Sequence, residues 1–124
     1  MQIELTGTNV EITDGLRDVV QRRLEKVGRQ VSELAVCEVI LAEERNPSIP
    51  DSQVAEVTLH LKGATLRARD ASPDMIHSVN LCADELARQV KRHRDKRRKR
   101  RESRAAAAAP QEEPSASGEA FPAQ

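Results

Sequence analysis

"VAEVTLHLKGATLRARD", residues 54–70, decides the fold. Val57, Leu59 and Leu61 alternate with Glu56, Thr58 and His60, the period of two expected of a half-buried strand. Lys62-Gly63 then reverses the chain, because glycine at a tight reversal supplies backbone angles that other residues avoid. On the return, Leu66 and Ala68 point one way and Arg67 and Arg69 the other. The stretch is therefore a hairpin with one apolar face and one wet face.

The flanks complete the pattern. Upstream, "AVCEVILAEE" (35–44) is a strand with Cys37, Val39 and Leu41 on one face, joined to the hairpin by the proline-containing loop "RNPSIPD". Further upstream, Ile3 and Leu5 mark a short strand ending at Gly7. Thr13 is a good N-cap for a helix whose stripe is Leu16, Val19, Val20, Leu24 (or Val27) and Val31. Downstream, Ser72 is expected as N-cap, with Pro73 in the first helical position and Asp74 in the first turn. The last helix carries the stripe Ile76, Val79, Ala83, Leu86 and Val90. The element order is β-α-β-β-β-α. Two amphipathic helices need an apolar surface, and one face of a four-stranded sheet supplies it. The strand–helix–strand crossover makes its two strands parallel. The predicted fold is an α+β two-layer sandwich with both helices on one face.

Charge is distributed unevenly. The chain of 124 residues is formally neutral. Yet residues 91–104, "KRHRDKRRKRRESR", hold ten Lys/Arg against Asp95 and Glu102 only, a local charge of +8. A solvated face normally mixes signs, whereas this run repels itself unless an anion is near. After Val90 no apolar stripe remains, so the helix is expected to continue beyond the sheet. Arg88, Arg92, Lys96 and Lys99 recur about one turn apart, opposite the stripe. Arg22, Arg23, Lys26 and Arg29 of the first helix cluster within eight residues and either join this patch or pair with Asp18, Glu25 and Glu33. The only aromatic is Phe121, so stacking on unpaired bases is not expected, and phosphate contact to structured RNA or DNA is. We expect a domain over residues 1–104 and a Pro-containing tail over 105–124 without an apolar period, disordered by composition.

Catalytic chemistry is not expected. His60, His77 and His93 have no partners at ligand spacing, and no phosphate loop or nucleophile elbow occurs. No metal, cofactor, small-molecule substrate or membrane partner is expected. Cys37 and Cys82 fit buried thiols of a reducing cytosol rather than a disulfide framework.

Several stretches resemble the ribosome hibernation-promoting factors, also called ribosome-associated inhibitors or protein Y. They are "TGTNVEIT" (6–13), "LRDVV" and "RRLEK" in the first helix, "VTLH" (57–60), "DM" (74–75) and "DELARQVKRHRDK" (84–96). The resemblance implies a bacterial or plastid stress protein, cytoplasmic and monomeric off the ribosome. It would sit in the mRNA/tRNA channel of the small ribosomal subunit, block translation and preserve idle ribosomes. Matched by motif, the implied rRNA-binding residues are Arg23 and Lys26 in "RRLEK", and Arg88, Arg92, Arg94 and Lys96 in "ARQVKRHRDK". Arg22 and Lys91 are added as neighbours. Two positions depart from the family's habit: Ile76 stands where an aromatic often follows Asp-Met, and Glu85 where lysine is common. The sequence resembles a short form, or a long form cut at its linker. The rival readings are a general double-stranded RNA or DNA binder and a structural module whose charged helix pairs with an acidic partner.

Overall fold

The computed structural model describes residues 1–108. The elements are β1 (Gln2–Thr8), α1 (Asp14–Gly28), β2 (Val36–Glu43), β3 (Gln53–Leu61), β4 (Ala64–Ser72) and α2 (Met75–Ala108). The sheet order is β1-β2-β3-β4, with β1 parallel to β2 and the other pairs antiparallel. This is the expected two-layer α+β sandwich. Two compact units are distinguished, Met1–Lys91 and a second beginning at Arg92. Helix α2 therefore supplies part of the first unit and the described part of the second. The residues expected as a tail are helical from 105 to 108; the remainder of that segment lies outside the described residues.

Register explains the buried face. Ile3 pairs with Cys37 and Leu5 with Val39. Cys37, Val39 and Leu41 pair with Leu59, Val57 and Ala55, so one face of the sheet is apolar across its width. Val20, Leu24 and Val27 of α1 and Val79, Cys82, Leu86 and Val90 of α2 close over it. Both Leu24 and Val27 are buried, so α1 uses the two alternatives together. Val31 falls beyond the helix end and packs on the core from the following turn.

Two local expectations need correction. The cap of α2 is Asp74, not Ser72: Asp74 Oδ2 accepts from His77 N–H at 3.2 Å and its carbonyl from Ser78 N–H at 3.0 Å. Ser72 closes β4 instead, and its hydroxyl lies 2.7 Å from that of buried Ser78, which donates to the Gln53 carbonyl at 2.6 Å. Ile76 is not in the core stripe; it is 44% exposed. Cys82 extends the stripe toward the side on which Met75 lies, and Met75 takes the core position. Thr13 caps α1 as expected, accepting from Leu16 N–H at 3.1 Å. Gly63 adopts φ +79°, which explains the residue at that turn. Thr58 is the exception on the wet face, buried although its strand neighbours Glu56 and His60 are not.

The two thiols are free and fully buried. Cys82 donates to the Ala55 carbonyl at 3.0 Å, anchoring α2 on β3. Burial, with Glu38 adding repulsion, pushes the Cys37 thiol from its ordinary 9.0 up to about 11. Burial and the charge of Asp70 push Cys82 up to about 12. Above the unfolded value the unfolded chain loses these protons first, so each thiol withdraws stability as pH rises from 9.0 toward about 11. The expected loss approaches ~1.4 kcal/mol per pH unit per thiol in that window. Urea unfolding at several pH values checks it: with both cysteines changed to Ala, this part of the alkaline decline should disappear.

Candidate nucleic-acid interface

The first unit places cations on the flanks of two parallel-running helices. α2 lies along β3 and β4: Ser78 and Cys82 bond to the Gln53 and Ala55 carbonyls, and Gln89 Nε2 donates to the Arg67 carbonyl of edge strand β4 at 2.6 Å. α1 lies toward β1, with Asp18, Arg22, Glu25 and Arg29 bordering a groove shared with Met1 and Ile3. At about 100° per residue, Arg23 and Lys26 fall on the flank of α1 remote from β1. By the same geometry Lys91 falls on the flank of α2 remote from β4. All three cations are exposed, and none makes an ion pair among the described residues.

Arg22 and Arg88 are placed differently. Arg22 turns to the β1 side and pairs with Asp18 at 2.8 Å. Arg88 borders a pocket with Arg69, Asp70, Leu81, Asp84 and Glu85, and forks onto Glu85 Oε1 at 2.9 and 3.2 Å. Glu85 Oε2 also accepts from Gln89 at 3.0 Å. The carboxylate at position 85 thus orders the side chain that caps the β4 edge, and it partly neutralises Arg88. Exposed pairs of this kind contribute about 0–1 kcal/mol, so an incoming phosphate can replace the carboxylate.

The second unit carries Arg92, Arg94 and Lys96, all exposed, on the continuing helix. The eight predicted cations are divided between the two units. In the first unit Arg23, Lys26 and Lys91 lie on helix flanks without ion pairs among the described residues, Arg22 and Arg88 hold Asp18 and Glu85, and the other three belong to the second unit. The Glu85–Gln89–Arg67 connection escaped sequence reasoning, because nothing local in sequence signals a side chain bonding a strand 22 residues away. Among the described residues no cluster of His, Cys, Asp or Glu could hold a metal ion, and no helix is long and apolar enough to cross a membrane.

The family described as Sigma 54 modulation protein / S30EA ribosomal protein matches residues 3–98. The chain belongs to that family. The ribosome hibernation promoting factor of Salmonella typhimurium is 35% identical over 96 residues, 77% of this chain and 96% of the relative. The ribosome hibernation promotion factor of Picosynechococcus sp. is 31% identical over 97 residues, and the match spans 50% of that longer relative. The Protein Y N-terminal domain of Thermus thermophilus superposes with a TM-score of 0.65 at 30% identity, covering 75% of this chain and 99% of that domain. The resemblance seen in the motifs is thus a family relationship, and the S30EA-family fold is the one built here.

Proposed function

We propose that this chain is a non-enzymatic ribosome-binding hibernation factor of the cytoplasm. It occupies the mRNA/tRNA channel of the small subunit by charge and shape, and excludes both ligands sterically. The observation that carries the proposal is a set of exposed cations, Arg23, Lys26 and Lys91, without ion pairs among the described residues, on the fold whose relatives carry the hibernation name. Such cations contact phosphates and set position without reading bases. The aromatic-free helices fit structured rRNA better than single strands.

Saturating protein should suppress in-vitro translation and displace initiator tRNA from small subunits. Inhibition with tRNA occupancy unchanged would rule out the steric mechanism. A general duplex binder, by contrast, would be titrated away by bulk double-stranded RNA at physiological salt, where the expected factor stays on subunits.

A further inference from the structure

Strand β1 is an edge strand: it pairs with β2 and with no second strand among the described residues. Gln2 N–H bonds inward to the Ala35 carbonyl at 2.8 Å. Alternation along the strand therefore turns the N–H and C=O groups of Ile3 and Leu5 outward, toward the open edge. An open row of this kind is a template for another strand. Met1, Ile3 and Leu5 pack against the core yet are only half-buried, so this margin of the core is left uncovered. The helix beside it carries a second signal. On the β1 flank of α1, Asp18, Arg22, Glu25 and Arg29 alternate in sign, and the series is its own complement when reversed. A second α1 laid antiparallel alongside sets Arg22 against Glu25 and Asp18 against Arg29, each twice over by symmetry. Within one protomer Arg22 holds Asp18 at 2.8 Å, while Glu25 and Arg29 make no ion pair among the described residues.

Strand and helix share one centre. Gly28 packs on Met1: a Cβ there would lie 3.2 Å from Met1 Cε. From Gly28 back to the midpoint between Arg22 and Glu25 is about 7 Å at 1.5 Å per residue. From Met1 on to Ile3 is also about 7 Å at 3.3 Å per residue. α1 runs antiparallel to β1, so both distances lead to the same level. A two-fold axis at Ile3 pairs Ile3 with Ile3 and Met1 with Leu5 across the seam, all apolar and all with outward backbone groups. It sets Gln2 against Glu4, whereas an axis one residue further on would oppose Glu4 to Glu4, two like charges. We infer that the β1 edge and the adjoining flank of α1 form a self-association surface, on which a second copy of this chain docks and joins two four-stranded sheets into one. A foreign strand could use the edge but would have no use for a self-complementary charge series beside it. Residues 1–5 and one helix flank make a small interface, so the dimer is weak, and the monomer implied by the family resemblance is the dilute state.

The test is sedimentation velocity of the full chain over a wide range of concentration and salt. Dimer should grow with concentration and recede with salt, since the flank pairs are exposed. R22E and E25R each set like charges across the seam at two symmetric contacts and should each weaken the dimer roughly tenfold. R22E/E25R exchanges the signs, restores both contacts and should return to the wild-type level. The ladder has its own readout: amide exchange at Ile3 and Leu5 should slow as the dimer forms, while Gln2, already bonded inward, stays unchanged. A monomer at every concentration overturns the inference. So does a dimer that the double exchange fails to restore, or one in which Ile3 and Leu5 exchange as fast as in the monomer. Protection of those amides only by an added strand-forming peptide would assign the edge to a foreign strand and overturn it as well. No ribosome enters the assay, so its outcome is independent of the hibernation reading.

Discussion

R23E/K26E/K91E should no longer co-sediment with small subunits at physiological salt. These three cations lie on helix flanks, exposed and without carboxylate partners among the described residues, so the mutations leave the core untouched. A hydrogen bond to a charged group contributes about 1.5–3 kcal/mol, and reversal adds repulsion. Even at ~1 kcal/mol each, the loss is on the order of a hundredfold in affinity. The salt slope should also fall by roughly one unit per cation. R22E/R88E is the informative comparison. Arg22 and Arg88 already hold Asp18 and Glu85 and lie on outer flanks, so their reversal should cost distinctly less. Co-sedimentation of the triple variant at the wild-type level would show that these cations are not the footprint.

Leu86→Ala should remove a large part of the first unit's stability. Leu86 is 0% exposed, on the α2 stripe against the sheet. The described core contains no aromatic ring, so aliphatic packing carries the burial. Removing a buried leucine costs about 2–5 kcal/mol in transfer and cavity terms. Domains of this kind have ~5–15 kcal/mol in total. The urea midpoint should drop accordingly, whereas Leu86→Met should cost under about 1.5 kcal/mol. An Ala variant with an unchanged midpoint would mean that α2 is not a closing element of the core.

The sheet was legible because period-two alternation and the Lys62-Gly63 turn are local signals. The pairing Cys37–Leu59 and Val39–Val57 follows once the apolar faces are aligned. The misassigned cap has a plain cause: Ser72 and Asp74 are both good caps two residues apart. A long-range bond from Ser78 to Gln53 draws Ser72 into the sheet layer and leaves Asp74 to the helix. Ile76 misled because a stripe read from sequence has no fixed margin, and Cys82 was not counted in it. At the interface, residue types and helix assignments were readable, but flank was not. Whether Arg22 joins Arg23 depends on which side of α1 faces the β1 edge, and that is a property of the crossover.

Helix α2 closes the core and also holds most of the cations, and it is made after every strand. During synthesis the emerging chain is first an acidic half-sandwich, with part of its apolar sheet face uncovered and the basic run 91–104 still to come. Domains fold as units when their last essential segment leaves the ribosome. Here the segment that completes the fold is followed at once by the basic run 91–104. A nascent or prematurely terminated chain therefore lacks both a closed core and the basic run 91–104. The closed core and the main concentration of positive charge thus arrive together, only after nearly all of the described chain has left the ribosome that makes it.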